Sequence, residues 1–416
     1  MLIQFSFKNY KSFRDDTVLD MSATKITEHK DRVISIGKEK LLPAAAIFGA
    51  NASGKSNVID AFRFMTNYVV NSFKYGGENE KGTTRQIMRT PFLFDEHSTD
   101  EPSTFEVYFI TPESEGAKTY NYGFSLRNDG VVEEWLNVKA KTSNEFKSII
   151  YREKDNLDLR GLPTKGQENI RFSLQNESLI ISLGAKLKIS KCEMIRDWFY
   201  DINFTNFGNP MENAFLSNRI PYNFADDKAV QEDVVKYFSS FDPSIVGFDV
   251  RLIEDDDDAV KNYRIDAIHK IEGTNKTASI PLGEESDGTL KMFTLYPVLQ
   301  ATLETGGVLC IDELNSRLHP LLVRAFLIAF LDPNLNKNHA QIVFTTHDTW
   351  QLDNNLLRRD EIWFTEKASS GVTTLFSLAD FVDEDGVKIR KDESYEKNYL
   401  LGKYGAIPSL KAFDMF

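Results

Sequence analysis

The sequence predicts an α/β fold with a mixed, largely parallel sheet at its core, an antiparallel β subdomain and an inserted helical region. Residues 49–56 form a phosphate-binding motif between a strand-like and a helix-like segment. In the second half, one apolar strand-like run ends in two acidic residues and another ends in a histidine. In parallel sheets, ligands bind at the carboxyl ends of the strands, where such polar residues lie. Strand-like runs separated by turns over residues 105–138 predict the antiparallel subdomain.

Composition narrows the class of protein. The chain has 416 residues, enough for two or three domains or for one large domain with an insertion. Its net charge of −13 argues against a surface covered by nonspecific nucleic-acid contacts. Two cysteines, Cys192 and Cys310, are too few for a disulfide framework or a zinc site. No apolar run reaches the length of a membrane span, so we expect a cytoplasmic protein with no membrane contact.

The phosphate-binding motif is the most specific signal in the chain. Residues 49–56, Gly-Ala-Asn-Ala-Ser-Gly-Lys-Ser, fit G-x-x-x-x-G-K-[ST]. The apolar residues 44–48 predict a buried strand before it, and apolar residues recur at helical spacing over 58–69. Because strand, loop and helix follow in the order that this motif requires, we predict a nucleotide-binding site.

Each residue type in the loop suits the binding of phosphate. Inward-pointing backbone N–H groups form an anion cradle, and the helix N-terminus adds partial positive charge. Lys55 is expected to reach the β- and γ-phosphates, and Ser56 to bind Mg²⁺ through its hydroxyl. The predicted nucleotide-binding residues of the loop are Gly49, Asn51, Ala52, Ser53, Gly54, Lys55, Ser56 and Asn57.

The first lobe is expected to span residues 1–138. It opens with an alternating strand over residues 2–7. After the phosphate loop and its helix, strand-like runs at 105–109, 120–126 and 131–138 predict an antiparallel meander.

Residues 139–245 are expected to form an inserted, mostly helical or irregular region. Segments 177–200 and 226–241 resemble helices, and no sustained heptad pattern predicts a coiled coil. Residues 139–171 contain eight Lys or Arg against five Asp or Glu. That stretch is either a solvated face of the insertion, the commoner case, or a surface for nucleic acid or a partner protein.

Residues 246–416 form the expected second lobe, which contains a pair of carboxylates. An apolar strand over residues 308–312 ends in Asp312 and Glu313. At the carboxyl end of a buried strand these side chains should face the phosphate crevice. Asp312 is expected to bind Mg²⁺ directly or through water, and Glu313 to polarise the attacking water. An apolar strand followed by Asp-Glu is common in proteins and indicates little when it occurs alone. Together with the phosphate loop, it indicates a nucleotide-hydrolysing site.

A second apolar strand, over residues 341–346, ends in His347. One helix, over residues 321–330, separates it from the carboxylate strand. This order predicts neighbouring parallel strands, with His347 beside Glu313 at one sheet edge. An imidazole there can donate a hydrogen bond to a γ-phosphate oxygen; the alternative is a histidine satisfied within a turn.

Together these motifs resemble the ATP-binding-cassette (ABC) fold, and within it the RecF/SMC-like branch. The family signature has a serine and a glycine at a helix start, and residues 283–289 match it at Ser286 and Gly288. The sequence departs from the pattern at Asp287 and Thr289. The resemblance implies ATP and Mg²⁺ as cofactors, and a head-to-tail dimer in which Ser286 and Gly288 touch the γ-phosphate of ATP held by the other subunit.

The same resemblance implies two further positions. Asn315 and Ser316 follow the carboxylates, where this family makes contacts across the dimer. The family's glutamine loop has its best candidate by position in Gln86.

Over almost its whole length the chain resembles the standalone ABC-type ATPases of bacterial anti-phage and abortive-infection operons. These include the ATPase subunit of the phage anti-restriction-induced system and the ATPase half of OLD-type nucleases. The resemblance rests on residues 5–13, 91–107, 358–364 and 402–408. The stretch after His347 is too short for the nuclease domain of OLD-type proteins, so the resemblance implies a separate effector.

We therefore expect an ATPase that dimerises around ATP and acts as a switch or sensor subunit of an anti-phage defence system. The expected partners are a second copy of the chain, in a dimer or larger homo-oligomer, and a nuclease or toxin effector from the same operon. DNA or a phage protein is a further candidate partner. Two alternatives stay open: a RecF-like repair ATPase that binds DNA through residues 139–171, and a nucleotide-gated scaffold with little hydrolysis.

Overall fold

Two large β-sheets pack on either side of one central helix. A computed structural model describes residues 1–75, 89–111, 116–139, 145–154, 156–209, 211, 220–221, 223–239, 242–253, 262–382, 386 and 388–407. Buried residues of the central helix, α1 (Lys55–Asn71), pack in one core with the antiparallel sheet and with one face of the parallel sheet. The other face of the parallel sheet packs against later helices in a second core.

The strands of the parallel sheet alternate with helices along the chain, because parallel neighbours need a long crossover connection. Most strands of the antiparallel sheet follow one another directly, joined by shorter connections. The strands are β1 (Leu2–Lys8), β2 (Thr17–Asp20), β3 (Ile34–Ile36), β4 (Glu39–Leu41), β5 (Ala44–Gly49), β6 (Ser103–Thr111), β7 (Lys118–Arg127), β8 (Gly130–Lys139), β9 (Lys147–Glu153), β10 (Asn156–Asp158), β11 (Asn203–Asn206), β12 (Ile245–Ile253), β13 (Asn262–Lys270), β14 (Thr277–Pro281), β15 (Val308–Asp312), β16 (Gln341–Thr345), β17 (Ile362–Lys367) and β18 (Thr373–Ser377).

The remaining helices lie mostly in the second half of the chain. They are α2 (Thr164–Ser173), α3 (Ile180–Lys186), α4 (Ser190–Tyr200), α5 (Lys228–Ser239), α6 (Asp287–Thr305), α7 (Pro320–Leu331) and α8 (Tyr395–Leu400), with 3-10 turns at Lys30–Arg32, Ser72–Lys74, Leu282–Glu284, Thr349–Gln351 and Arg359–Glu361.

The six-stranded sheet has the order β11-β15-β16-β5-β17-β18 and is parallel except for β18. Its central strands are buried on both faces, so they are short continuous apolar runs, as parallel sheets require. The prediction of a mixed, largely parallel core is confirmed. The strand order places β16 between the strand of the phosphate loop and the strand of the carboxylates.

The seven-stranded antiparallel sheet has the order β10-β9-β8-β7-β6-β1-β2. It confirms the predicted meander, because β6, β7 and β8 pair in sequence. The same sheet continues into β9 and β10, within the 139–245 region that we expected to be mostly helical or irregular. Only Ile149, Ile150 and Arg152 are buried in β9, so its sequence has little of the alternation that identifies a strand.

Helical segments follow the predicted positions in that region, with one interruption. The expected helix over 177–200 is two helices, α3 and α4. Lys188, between them, lies in the left-handed region at φ 59°, a conformation that cannot continue a right-handed helix. The expected helix over 226–241 is α5. Next along the chain, β12, β13 and β14 form a small antiparallel sheet.

Both cysteines are buried and unpaired with each other, and Cys310 packs inside β15 as expected of a core residue. Within the described ranges, no helix is both long and apolar enough to cross a bilayer.

Candidate nucleotide site

Four parallel strands end at one edge of the six-stranded sheet. β5 ends at Gly49, β15 at Asp312, β16 at Thr345 and β11 at Asn206. Parallel strands present their carboxyl ends on the same side, and ligands of such sheets bind there. The edge therefore brings together polar residues that are far apart in sequence.

The phosphate loop is held in its conformation by glycines and by threonines from β17 and β18. Gly54 has φ 106°, and a Cβ there would lie 2.8 Å from Thr373 Cγ2 and 2.9 Å from Ser12 Oγ. A Cβ on Gly49 would lie 2.6 Å from the Thr365 carbonyl oxygen. Both positions therefore need glycine for space as well as for backbone freedom.

The other side chains of the loop either form hydrogen bonds that hold the loop in place or are exposed to solvent. Ser53 Oγ lies 2.6 Å from Thr365 Oγ1, and Asn57 Nδ2 donates to Ser12 Oγ at 2.8 Å. Asn51, Ala52 and Ser56 are exposed, so they are available to a ligand.

Lys55 is the buried cation of the site. It is 5% exposed, and its Nζ donates to the carbonyl oxygens of Gly49 and Ala50 at 2.8 and 2.9 Å. Burial lowers the pKa of Lys55 to about 8, while the charges of Asp312 and Glu313 oppose that shift. An anion entering the loop would restore a strong partner to this ammonium group.

Asp312 is buried and hydrogen-bonded on both oxygens. Thr345 Oγ1 donates to Asp312 Oδ1 at 2.6 Å, and Asn206 Nδ2 donates to Asp312 Oδ2 at 3.0 Å. The backbone N–H of Glu313 donates to Thr345 Oγ1 at 2.8 Å. Glu313 has φ 55°, an unfavourable conformation for a residue with a Cβ, and such outliers cluster at functional sites.

His347 follows β16, the strand between those of the phosphate loop and the carboxylates. Its backbone N–H donates to Asn315 Oδ1 at 3.1 Å, and Thr346 Oγ1 donates to the same oxygen at 2.9 Å. Desolvation and then the Lys55 ammonium group lower the pKa of His347, so the imidazole is neutral at pH 7. Asn315, expected at the dimer contact, thus also joins two loops of its own chain.

Three cavities meet at this edge. A cleft of about 830 Å³ is lined by Lys55, Ser56, Glu313 and His347, among others. A second cleft, of about 820 Å³, lies against the other side of the loop and is lined in part by Ala50 and His347. A smaller cavity of about 170 Å³ is lined by Ser56, Asn206 and Asp312, among others.

The small cavity suits the predicted Mg²⁺ when phosphate is present. Ser56 and Asp312, the two predicted metal-binding residues, both line it. Mg²⁺ in phosphate sites takes one or two carboxylates and completes its shell with phosphate oxygens and water. Among the described residues no cluster of three His, Cys, Asp or Glu is placed to hold a metal ion.

The predicted signature lies outside the clefts of its own chain. Ser286 caps α6, accepting from the N–H of Thr289 at 3.1 Å, and is exposed. Neither Ser286 nor Gly288 lines the two large clefts. Asp287 pairs with Arg317 at 3.4 Å, which places this helix start beside the loop that follows the carboxylates.

Sequence patterns did not identify two residues that hold Asp312, or a buried lysine near the loop after the carboxylates. Thr345 and Asn206 bind Asp312 from neighbouring strands, and only the strand pairing brings them there. Lys291 is 7% exposed; its Nζ donates to Ser316 O at 2.5 Å and lies 4.0 Å from the Phe207 ring centroid. A lysine in an otherwise apolar helix was the available signal for Lys291. Gln86, the glutamine-loop candidate, lies outside the described residues.

Comparisons with known proteins came from curated sequences and solved structures. No curated protein matched the sequence. One similar structure is described as "Crystal structure of the SmcHead bound to the C-winged helix domain of ScpA", with 15% identity and a TM-score of 0.45, covering 90% of this chain and 97% of that one. Another, the SMC head domain from Thermotoga maritima, has 15% identity and a TM-score of 0.40, covering 90% and 98%.

A family match extends from the strand of the phosphate loop past His347. Residues 44–350 match the AAA_21 family, whose description is "AAA domain, putative AbiEii toxin, Type IV TA system". This range is most of the chain and contains the phosphate loop, both carboxylates and the histidine. The chain therefore belongs to this family of AAA-domain proteins.

Proposed function

We propose that the chain binds ATP with Mg²⁺ and hydrolyses it slowly, as a dimer that acts as a switch. The observation that supports this most strongly is the convergence of a buried lysine, a carboxylate and a histidine on one cleft beside a phosphate loop. Lys55, Glu313 and His347 all line that cleft. Membership of an AAA-domain family supports the same conclusion.

In this proposal the loop binds the phosphates and the small cavity holds the metal. Lys55 leaves its two carbonyl partners and contacts the β- and γ-phosphates. Ser56 and Asp312 would hold Mg²⁺, which when bound would neutralise charge on the phosphate oxygens. Thr345 and Asn206 hold Asp312 in its orientation by donating to its two oxygens.

Glu313 and His347 act on the γ-phosphate. The Glu313 carboxylate accepts a hydrogen bond from the attacking water and orients it. His347 donates from its neutral imidazole to a γ-phosphate oxygen and stabilises charge there as water attacks the γ-phosphorus and its bond to the bridging oxygen of the ADP leaving group breaks. Both roles need the nucleotide to enter the cleft that these side chains line.

The position of the signature supports a dimer with composite sites. Ser286 is exposed at a helix start and lines neither large cleft of its own chain. A helix start with an exposed serine and a nearby glycine can approach a phosphate held by another molecule. In the proposed head-to-tail dimer, Ser286 and Gly288 of one subunit complete the ATP site of the other.

A role in bacterial defence fits the family description and the resemblance of the whole chain. The description names a toxin and a type IV toxin–antitoxin system. We propose that ATP turnover here controls a separate effector, a nuclease or a toxin from the same operon, on phage infection. Cells that carry the operon should lose protection from phage when Lys55 is replaced by alanine, and unchanged protection would contradict this role.

The basic stretch 139–171 gives little support to the DNA-repair alternative. Arg152 is buried and donates to Ser178 O at 2.8 Å. Arg160 pairs with Asp158 at 2.7 Å, and Lys139 pairs with Glu39 at 3.0 Å. These three of the eight Lys and Arg of the stretch already have partners within the fold. Salt-dependent DNA binding with a slope of several phosphates would reopen this alternative.

ATP affinity should fall as the pH rises above about 8. The pKa of Lys55 is lowered to about 8, so the nucleotide-free loop loses its ammonium charge above that pH. ATP must then bind together with a proton that restores this charge, and the affinity falls. Equilibrium ATP binding between neutral pH and about pH 9.5 measures this. Burial also lowers the pKa of Lys291 to about 8, so Lys291→Met is the control and should keep the profile. Affinity that does not vary with pH would contradict the assignment.

Single-turnover hydrolysis tests the enzymatic proposal against the scaffold alternative. With protein in excess over radiolabelled ATP, we expect phosphate release that requires Mg²⁺ and Lys55. Tight ATP binding without phosphate release over many hours would favour the nucleotide-gated scaffold.

A further inference from the structure

The segment after β11 contacts both carboxylates of the site. Asn206, the last residue of β11, is in register with Asp312 at the end of β15. Its Nδ2 donates to Asp312 Oδ2 at 3.0 Å, and the next backbone N–H, of Phe207, donates to the Asp312 carbonyl oxygen at 2.9 Å. The edge strand thus holds Asp312 through both its side chain and its backbone.

The orientation of the Asn206 amide is determined by its other contacts. Asn206 Oδ1 accepts from the backbone N–H groups of Gly208 and Asn209 at 2.8 and 3.1 Å. With the amide reversed, an NH₂ group would face these two donors and an oxygen would face a carboxylate. The turn that follows β11 therefore directs a donor at Asp312.

Gly208 leaves the space that Glu313 occupies. A Cβ built on Gly208 would overlap Glu313 Oε2 and would lie 2.7 Å from Glu313 Cδ. Gly208 is exposed and is not among the residues with positive φ, so its backbone does not itself require glycine. Glycine is needed at this position because the end of the Glu313 side chain occupies the space that a Cβ would take.

We propose that Asn206–Gly208 is a positioning segment for the two carboxylates. Asn206 fixes Asp312 in the cavity that both residues line with Ser56. Gly208 lets the Glu313 carboxylate lie where it can orient water. This inference rests on the proposed function, and it assigns to an edge strand a role that none of the sequence motifs assigns.

Gly208→Ala tests the Glu313 half of the proposal. The new methyl group must displace the carboxylate, and misplacement of a catalytic group by about 1 Å costs on the order of 10²-fold in rate. We expect kcat to fall by about that factor, with ATP affinity and thermal unfolding unchanged, because only the flexible end of a side chain is displaced. Gly247→Ala is the matched control: its Cβ would lie 3.5 Å from Ile268 Cδ1, an ordinary contact, and kcat should not change.

A kcat for Gly208→Ala equal to that of the wild type would overturn this half. So would a fall in ATP affinity that matches the fall in kcat/KM with kcat unchanged, because a misplaced water-orienting group acts on the chemical step.

Asn206→Leu tests the Asp312 half with a readout that needs no turnover. Leucine keeps the approximate volume and removes the donor to Asp312. Loss of a residue that orients a metal ligand typically costs about 10–100-fold in metal affinity. We expect that loss for Mn²⁺ binding to the ATP complex, measured by electron paramagnetic resonance. Asn203→Leu, on the same strand, is the control and should retain the wild-type affinity, since Asn203 Nδ2 contacts only Asp201 O, at 3.4 Å.

Equal Mn²⁺ affinity in Asn206→Leu and the wild type would overturn the Asp312 half, and equal losses in Asn203→Leu and Asn206→Leu would attribute the effect to strand β11 as a whole. Failure of the proposed ATPase activity would give a different result: the wild-type protein would show no hydrolysis that depends on Lys55. The Mn²⁺ titration still decides the inference in that case.

Discussion

Lys55→Ala is expected to abolish ATP binding. The side chain is 5% exposed and holds the loop by donating to Gly49 O and Ala50 O. Alanine removes the buried ammonium that would contact two phosphates, and each charge-assisted hydrogen bond contributes about 1.5–3 kcal/mol. Two such contacts correspond to a loss of roughly 10²–10⁴-fold in affinity.

Equilibrium titration with a fluorescent ATP analogue measures this loss. Lys337→Ala is the matched control, because Lys337 is an exposed lysine that precedes β16, at the opposite end of that strand from the site. Thermal unfolding of both variants should stay close to that of the wild type. Wild-type affinity in Lys55→Ala would show that nucleotide does not bind at this loop.

Glu313→Gln is expected to keep ATP bound and to stop its hydrolysis. Glutamine retains the shape and a hydrogen-bonding oxygen but is a poor acceptor of the water proton. Loss of a positioned general base costs about 10²–10⁴-fold in rate. The variant should therefore accumulate as an ATP-bound dimer, visible as an ATP-dependent doubling of mass by light scattering.

The control for this change is a neighbouring carboxylate. Glu366 lines the second cleft but not the cleft that contains Lys55 and Glu313, so Glu366→Gln should turn over ATP at the wild-type rate. Wild-type turnover in Glu313→Gln would mean that a different residue orients the water.

Local patterns were sufficient to predict the strands and the helix start on which the candidate site residues lie. The phosphate loop is a contiguous motif, and β15 and β16 are short apolar runs whose polar ends stand out in sequence. Their order around α7 implied neighbouring parallel strands, and the sheet has that pairing. The helix start at Ser286, which caps α6, is likewise a local feature.

Features that depend on distant pairing were missed. β11 has four residues, of which only Thr205 is buried, so nothing in its sequence identifies a strand of a parallel sheet. Asn206 meets Asp312 across 106 residues of chain, and Gly208 meets Glu313 only because β11 pairs with β15. β9 and β10 were missed for the same reason, since β9 is stabilised as a strand by pairing with β8, and β10 by pairing with β9, more than by their own patterns.

The site roles of Ser286 and Gly288 depend on a second copy of the chain, which a single-chain pattern cannot test. Ser286→Arg adds bulk at a helix start that must approach a phosphate and is expected to stop hydrolysis while ATP still binds. Its effect alone does not show which subunit's site it blocks.

A mixture of two inactive variants tests the central claim, a composite site between subunits, most directly. Neither Ser286→Arg nor Lys55→Ala should hydrolyse ATP alone. A mixed dimer has one intact site, formed by Lys55 of the first chain and Ser286 of the second, so mixing should restore part of the turnover, and the recovered rate should rise with protein concentration. Mixed dimers detected by mass but without any recovered hydrolysis, or full activity in Ser286→Arg alone, would contradict the account.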